Sequence, residues 1–368
     1  MVSIALLGLS AGACAAVAIF GWLYRKKCSL RRRIKICKID KDLSGKVVFV
    51  TGGSAGLGKE ICYELARRGA EVFIGCRPTA KAESALDWIR RRCVKESKLS
   101  SDSIKLKLIP LDMASLKSVD QCADKLTEYL PQLDILINNA GVASCPWTRS
   151  EDGFELHYAI NHLAHFHLTN RLVPLLKKTS KLSGEARILV VSSGYYVKGK
   201  PEFSDVASDH MPISYNRWFG YARSKLANCL HGYQLTKNLE THKIGVFVIR
   251  PGFVPGTDLG RHHSWFLRVL AAPLMWFIGR SVREGIQSYL HCCLEQISDL
   301  HSGALYTDCE VEPWRSDLVN DQTAQDLWDL SCDHVASIFP PATASAAPSS
   351  SEAEGSSEGK EGEWETME

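Results

Sequence analysis

Tyrosine and lysine residues four positions apart are the first candidates for acid–base chemistry in this sequence. Three such pairs occur, namely Tyr196–Lys200, Tyr221–Lys225 and Tyr233–Lys237. On a helix, residues i and i+4 share one face. A nearby lysine ammonium favours the phenolate of a tyrosine, whose pKa is otherwise about 10. A helical pair of this kind can therefore move a proton to or from a hydroxyl group.

The surroundings of the three pairs favour the second. Tyr196–Lys200 contains Gly199 and is followed by Pro201, which predicts a loop without a helical face. Tyr233–Lys237 lies about three turns beyond the predicted start of the helix at Tyr221, and would point away from a site at the strand ends. Tyr221 and Lys225 are therefore the candidate proton-transfer pair.

A glycine-rich run, Thr51-Gly-Gly-Ser-Ala-Gly-Leu-Gly58, lies between an apolar run and a helical pattern. This strand, turn and helix order is what a dinucleotide-binding loop requires. Glycine lets the backbone approach a pyrophosphate, and the N-terminus of the following helix supplies free N–H groups and partial positive charge. The run predicts a dinucleotide site.

The elements that would position these residues read as one α/β domain. Short, nearly all-apolar runs alternate with helical patterns. Parallel strands have this apolar character because helices cover both of their faces. The predicted strands are Lys46–Val50, Glu71–Gly75, Ile104–Pro110, Leu133–Asn138, Arg187–Ser192, Ile244–Arg250 and Gly303–Thr307. They predict a single Rossmann-type, doubly wound parallel sheet of about seven strands, within a domain spanning residues 44–335.

The motifs and their order resemble the short-chain dehydrogenase/reductase family over about residues 44–310. The motifs are the G-x-x-x-G-x-G loop after Thr51, Leu111-Asp112, Asn138-Asn-Ala-Gly141, Asn161-His162, Ser192-Ser193, Tyr221-x-x-Ser-Lys225 and Pro251-Gly252. The strings Tyr221–Asn228 and Asn161–Phe166 resemble the retinol-dehydrogenase branch. The stretch Tyr306–Glu312 with an acidic tail most resembles the dehydrogenase/reductase member-thirteen type.

This resemblance implies hydride transfer between a nicotinamide cofactor and an alcohol or carbonyl compound. It implies that Tyr221 moves the proton, that Lys225 tunes it and bonds the nicotinamide ribose, and that Asn161 holds a relaying water. Ser193 would bind the substrate oxygen, with Ser192 as the alternative. The implied cofactor-binding residues are Gly52, Ser54, Gly56, Leu57, Gly58, Arg77, Asp112 at the adenine, Asn139 at the adenosine ribose, Tyr221, Lys225 and Thr257. An extra Pro-Gly before Thr257 departs from the family pattern and puts its contact to the carboxamide in doubt. Asp112 is equally compatible with a helix cap, and Asn161 with an ordinary polar residue that interrupts a helix.

The second predicted strand ends Gly75-Cys-Arg77, without the acidic residue that binds a ribose 2′-hydroxyl. An arginine there accommodates a 2′-phosphate, so NADP(H) is favoured over NAD(H). The alternative for Arg77 is an ordinary loop cation before Pro78.

Five aromatic residues fall in loops that the family uses around its substrate pocket: Trp147, Tyr195, Tyr196, Trp218 and Phe219. They indicate an apolar substrate such as a retinoid, steroid or lipid aldehyde, although core packing explains two or three of them equally well. The intact Ser193, Tyr221 and Lys225 argue against the alternative function, a non-catalytic membrane adaptor that keeps the fold.

No metal site is expected. His157, His162, His165 and His167 are close in sequence but have no cysteine or carboxylate partner set, and the cysteines lack metal or disulfide spacing. Subtracting the charged ends leaves a nearly neutral body, which gives no reason to expect nucleic-acid binding.

The chain ends differ from the body. Residues 2–24 carry no charge, and this run is long enough to cross a bilayer as a helix. The basic residues follow the run rather than precede it, which favours a transmembrane anchor at 1–24 over a cleaved signal peptide. The basic linker 25–43 then predicts that the catalytic domain lies on the cytoplasmic side, and we expect the membrane to be that of the endoplasmic reticulum. Residues 336–368 have the composition of a disordered acidic tail.

Residues 265–278 are the most apolar segment of the body and follow the sixth predicted strand, where the family carries a lid over its substrate pocket. Arg268 and Pro273 argue against a second membrane span. The segment predicts an interfacial lid against the bilayer, with a buried core helix as the alternative. The expected partners are an apolar small molecule and a membrane, and a homodimer is left open.

Overall fold

The computed structural model describes residues 22, 25–29, 34–211, 215–255, 273 and 275–340. These residues form one eight-stranded sheet with the order β3-β2-β1-β4-β5-β6-β7-β8. The strands are β1 Val47–Thr51, β2 Glu71–Cys76, β3 Leu106–Pro110, β4 Ile135–Asn138, β5 Ala186–Val191, β6 Ile244–Ile249, β7 Leu305–Thr307 and β8 Glu310–Glu312. The predicted doubly wound α/β fold is confirmed.

Helices cover both faces of the sheet. They are α1 Gly56–Ala66, α2 Ala80–Ser97, α3 Leu116–Tyr129, α4 Leu156–Tyr158, α5 Ala164–Ser183, α6 Arg217–Asn238, α7 Val282–Gly285, α8 Gln287–Leu294 and α9 Asp321–Ile338. A π-helical turn, Ala159–Leu163, joins α4 to α5. Short 3₁₀ helices occur at Ser101–Ser103, Gly194–Lys198 and Ile297–Asp299.

Two hydrophobic cores lie on opposite faces of the sheet. Side chains of α3, α5, α6 and α9 form the first, and side chains of α1, α2 and α8 form the second. Every residue of β1, β4, β5 and β6 is buried. Strands buried on both faces are mostly apolar, which is why the apolar runs of the sequence locate them well.

The strand order reverses beside β1, and this reversal creates the place for a ligand. β1 pairs in parallel with β2 on one side and with β4 on the other. The crossovers on the two sides therefore leave the sheet in opposite directions, and a crevice opens at the carboxyl ends of these strands. The glycine-rich run follows β1 at this crevice.

The predicted strand count was one too low. β8 pairs antiparallel with β7 through a two-residue turn in which Asp308 and Cys309 have φ values of 52° and 62°. Positive φ at both central residues is the geometry of a type I′ hairpin turn. The sequence lacks the usual glycine signal there, and Glu310–Glu312 is polar, so no pattern pointed to a strand.

The body also extends at both ends of the described region. Cys37 and Ile39 pack against the second core, and α9 continues to Ile338. Apart from Trp22, the predicted anchor at 1–24 lies outside the described residues, as does the tail from residue 341. Within the described part of the chain, no helix has the length and apolar character needed to span a membrane.

Candidate active site

A cleft of about 460 Å³ opens at the carboxyl ends of β1, β4 and β5. It brings together nearly all of the predicted site residues. Those lining it are Gly52, Ser54, Gly56, Leu57, Gly58, Arg77, Asp112, Asn139, Ser193, Tyr221 and Lys225. Asn161 lies behind the wall, and Thr257 is outside the described residues. The glycine loop and the tyrosine–lysine pair thus share one cavity.

The glycine loop has the shape of a phosphate cradle. Gly52 has a φ of 68°, and a Cβ atom at Gly58 would collide with the Gly52 carbonyl and the Asn139 side chain. α1 begins at Gly56, and its N-cap residue, Ala55, offers no side-chain cap to the first N–H groups. Those N–H groups therefore remain available to an anion in the cleft. These residues fit a dinucleotide pyrophosphate.

Asn139 connects the glycine loop to the end of β4. Its Nδ2 donates to the Thr51 carbonyl at 2.9 Å, and its Oδ1 accepts from the Tyr289 hydroxyl at 3.2 Å. Tyr289 is buried and also lines the cleft. The side chain of Asn139 is thus held in place from two sides, and it presents a fixed surface where an adenosine ribose is predicted.

The far end of the cleft carries one acidic and two basic residues. Asp112 Oδ1 accepts from the Ala114 N–H at 3.0 Å, so it caps the turn before α3 while also facing the cleft. Arg77 and Lys81 are exposed at the lining beyond β2. Lys81 was not singled out from the sequence, although it lies four residues after Arg77 in the first turn of α2.

The two neighbouring serines have different environments. The Ser192 hydroxyl donates to the Lys225 carbonyl at 2.8 Å and is buried. Ser193 is only partly buried, caps the 3₁₀ helix Gly194–Lys198, and hydrogen bonds with the Tyr221 hydroxyl. Ser193 is therefore the serine whose hydroxyl is placed beside Tyr221.

Lys225 lies fully inside the wall of the cleft. Its Nζ donates to the Val191 carbonyl at 2.9 Å, at the end of β5. Burial lowers the pKa of this ammonium to about 8. The lysine therefore stays mostly charged near neutral pH.

The sequence predicts that Lys225 lowers the pKa of Tyr221, but in the folded protein this pKa is raised. Burial raises the pKa of Tyr221, and the hydrogen bond with Ser193 only partly offsets this effect. Desolvation disfavours the charged phenolate, and the Lys225 ammonium donates its hydrogen bond to the Val191 carbonyl rather than to Tyr221. Tyr221 is consequently a neutral phenol, which is a proton donor.

The side chain of Asn161 is engaged entirely within the protein. Its Oδ1 accepts from the Val142 N–H at 2.8 Å, and its Nδ2 donates to the Val142 carbonyl and to the Ser224 hydroxyl. The residue occupies the middle of the π-helical turn. A relayed water would therefore have to use the main-chain carbonyl of Asn161 rather than its amide.

The other two tyrosine–lysine pairs lie away from the cleft. Tyr196 is a core residue in the 3₁₀ helix. Tyr233 and Lys237 both bind Asp321 at the start of α9. Only the pair on the first turns of α6 faces the cavity among the described residues.

Aromatic side chains pack beside Tyr221, outside the residues that line the cleft itself. Tyr195 packs on Trp218 with ring centroids 5.5 Å apart and on Tyr221 at 6.0 Å. Tyr195, Trp218 and Phe219 are between 40% and 57% exposed. Tyr196 was wrongly grouped with them, because its ring is buried in the core.

The four clustered histidines have four separate sets of partners. His157 contacts Glu155, His162 contacts Ser331, His165 contacts Thr51 and Asn161, and His167 contacts Asp120. No group of three or more metal-ligating side chains occurs in the part of the chain that the structure covers. These histidines join helices and loops of the fold.

Comparisons with known proteins agree with this geometry. The family model for short chain dehydrogenase matches residues 46–264. Retinol dehydrogenase 14 from Mus musculus is 40% identical over 295 residues, 78% of this chain and 85% of that protein. Dehydrogenase/reductase SDR family member 13 from Bos taurus is 35% identical over 296 residues, 80% of this chain and 74% of that protein.

A solved structure shares the fold. The crystal structure of an uncharacterised protein from Mycobacterium paratuberculosis superposes with a TM-score of 0.61 and 26% identity. The match covers 81% of this chain and 95% of that one.

Proposed function

The chain belongs to the short chain dehydrogenase family, whose members are oxidoreductases that use nicotinamide cofactors, and from that premise we propose a specific reaction. The protein transfers a hydride between NADP(H) and an apolar alcohol or carbonyl compound, such as a retinoid, a steroid or a lipid aldehyde, at a membrane. The observation that carries this proposal is the continuous cleft from the glycine loop to Ser193, Tyr221 and Lys225. The exposed rings of Tyr195 and Trp218 pack next to Tyr221, which supports an apolar substrate.

The residues of the cleft divide the work of carbonyl reduction. The bound cofactor supplies the hydride. Ser193 donates a hydrogen bond to the carbonyl oxygen, and Tyr221, a neutral phenol, donates the proton that the oxygen needs. Lys225 supplies positive charge near the phenolate that this leaves. The raised pKa keeps Tyr221 protonated near neutral pH, which is the form that donates a proton during carbonyl reduction.

Reduction of a carbonyl panel tests this function. We expect NADPH-dependent reduction of at least one of all-trans-retinal, a steroid ketone and a medium-chain aldehyde, followed as the loss of NADPH absorbance. Binding of NADPH without reduction of any carbonyl compound would favour a membrane adaptor that keeps the fold.

The preference for NADP(H) rests on the charges at the far end of the cleft. Arg77 and Lys81 lie there, and Asp112 is the only carboxylate among the described residues that line the cavity. A 2′-phosphate carries negative charge and accepts charge-assisted hydrogen bonds from such groups. An NAD-selective site would instead place a carboxylate beside the ribose hydroxyls.

Replacing Arg77 with Ala should weaken NADPH binding roughly ten- to a hundredfold, because one charge-assisted contact is worth about 1.5–3 kcal/mol. NADH affinity should change little, since NADH has no 2′-phosphate. Fluorescence titration with both cofactors measures the two values. Arg90→Ala, at an exposed position of the helix α2 that follows Arg77, is the control. Equal losses for NADPH and NADH would show that Arg77 is merely structural.

Membrane attachment is part of the proposal. The anchor at 1–24 and linker 25–43 would hold the domain, residues 44–335, on the cytoplasmic face of the endoplasmic reticulum, with 336–368 as a solvated tail. In support, Lys27 of the linker lies over the ring of Trp276 at 3.4 Å from its centroid. Trp276, Ile278 and Phe253 are exposed, and Phe253 follows Pro251 and Gly252 of the cleft. The basic linker thus meets an apolar surface near the cleft, as an interfacial lid requires.

A chain lacking residues 1–38 should still bind anionic liposomes through the segment 265–278, most of which lies outside the described residues. Trp265→Glu combined with Trp276→Glu should release it, because two carboxylates oppose both burial in lipid and the anionic surface. Co-sedimentation with liposomes measures binding, and a melting curve checks folding. If the truncated chain ignores liposomes, the membrane role belongs to the N-terminal segment alone.

A further inference from the structure

His165 connects the cofactor loop with the π-helical turn of Asn161. It is buried on α5, and its Nε2 lies 2.8 Å from the Thr51 hydroxyl. Its Nδ1 lies 3.0 Å from the Asn161 main-chain carbonyl. Thr51 ends β1 immediately before the glycine loop. One imidazole ring therefore touches both halves of the candidate site.

The chemistry of these contacts fixes the tautomer of the ring. A carbonyl oxygen only accepts hydrogen bonds, so Nδ1 must carry the proton and Nε2 must accept. The Thr51 hydroxyl then donates to Nε2. Burial and the charge of Lys225 lower the pKa of His165 to about 3, which keeps the ring neutral. A single tautomer is therefore present throughout the working pH range.

On the cofactor side, the ring orients the hydroxyl of Thr51. With its proton directed to Nε2, the oxygen accepts from the N–H groups of Asn139 and Ala140, each at 2.9 Å. Both residues line the cleft. The competing acceptor for the Thr51 hydroxyl is the Ile137 carbonyl, which is 3.4 Å away. Loss of the His165 acceptor would turn the hydroxyl toward that carbonyl and loosen the cofactor wall.

On the catalytic side, the ring holds the carbonyl of Asn161. The Asn161 amide is already committed to Val142 and Ser224, so only the carbonyl remains for a water relay. Ser224 and Lys225 are neighbours on α6. Backbone hydrogen bonding is irregular in a π-helical turn, and the Nδ1 donor steadies the orientation of this carbonyl.

We propose that His165 is a positioning residue, which couples the cofactor wall to the proton-relay carbonyl through its two ring nitrogens. The inference rests on the proposed function, because it assigns the Thr51 contact an effect on cofactor binding and the Asn161 contact an effect on turnover.

Two substitutions separate the contacts. In His165→Asn the amide nitrogen takes the place of Nδ1 and the acceptor toward Thr51 is lost. In His165→Gln the amide oxygen takes the place of Nε2 and the donor to Asn161 is lost. With the full-length protein in detergent, NADPH affinity is measured by fluorescence titration and kcat with all-trans-retinal as the probe.

We expect His165→Asn to weaken NADPH binding about tenfold with kcat nearly unchanged. We expect His165→Gln to lower kcat about tenfold with NADPH affinity nearly unchanged. A tenfold change corresponds to the loss of one buried hydrogen bond. The proposal is overturned if His165→Asn does not act mainly on NADPH affinity, or if His165→Gln does not act mainly on kcat. A purely structural role would lower the melting temperature and move both parameters together.

A second measurement applies if these variants do not fold. Thr51→Val removes the hydroxyl and should weaken NADPH binding, whereas Thr51→Ser keeps the hydroxyl and should weaken it much less. Adding His165→Asn to Thr51→Val should then cause no further loss of affinity, because both remove the same contact. Additive losses overturn the proposal. If the natural protein binds NADPH but reduces no carbonyl, the proposed function fails, and the affinity measurements still decide the contact between His165 and Thr51.

Discussion

Tyr221→Phe should lower kcat roughly 10²- to 10⁴-fold, the usual contribution of a positioned acid or base, while NADPH affinity stays within about twofold. The substitution removes one oxygen and keeps the ring, which packs against Tyr195 and lies in the wall of the cleft. The proton donor beside Ser193 is lost, but the glycine loop and Arg77 are untouched. Single-turnover hydride transfer and NADPH fluorescence titration measure the two effects.

Tyr233→Phe is the matched control for this substitution. Tyr233 lies on the same helix and is also followed by lysine at the fourth position, but its hydroxyl bonds to Asp321 outside the cleft. This variant should keep full activity. Persistent turnover in Tyr221→Phe, or loss of turnover in Tyr233→Phe instead, would contradict the assignment of Tyr221 as the proton donor.

Acid should destabilise the fold steeply below pH 6.5, because several histidines, among them His162, His165 and His231, are buried without charge. Burial lowers the pKa of His231 to about 4 and that of His165 to about 3, and lowers the pKa of His162 well below its usual range. In the unfolded chain each histidine takes up a proton near pH 6.5. Between that pH and the folded values, unfolding is accompanied by proton uptake, so stability falls as pH falls.

The magnitude follows from the number of protons. Each histidine costs about 1.4 kcal/mol of unfolding free energy per pH unit below 6.5, and three together about 4 kcal/mol. Urea denaturation at pH 7.5, 6.5 and 5.5 measures this slope. Such a loss is a large fraction of the free energy of unfolding of an ordinary domain.

His231→Phe tests the origin of the slope. Neither ring nitrogen of His231 has a hydrogen-bond partner among the described residues, and the ring lies among His162, Phe166 and Trp328. The substitution should leave stability at pH 7.5 unchanged or slightly higher, since it removes unsatisfied polar atoms, and should reduce the slope. His301→Phe, at an exposed position, should leave the slope unchanged. Parallel pH dependences for the natural protein and His231→Phe would contradict this explanation.

The sequence by itself determined the fold class and the local parts of the candidate site. Parallel strands are buried on both faces, so β1, β4, β5 and β6 appear as apolar runs in the sequence. The glycine loop and the pair Tyr221–Lys225 are short local patterns, whose geometry follows from one turn and one helix face. Local rules are sufficient for such features.

The tertiary structure decided what depends on residues far apart in the chain. β8 was missed because its turn, Asp308-Cys309, takes positive φ without glycine. Ser193 is distinguished from Ser192 by long-range contacts, because Ser192 is bonded to the Lys225 carbonyl and Ser193 to the Tyr221 hydroxyl. Likewise, His165 meets Thr51 across 114 positions of sequence. The direction of the Tyr221 pKa is also a tertiary property, because desolvation is the summed effect of every group packed around the hydroxyl, and no sequence spacing encodes that sum.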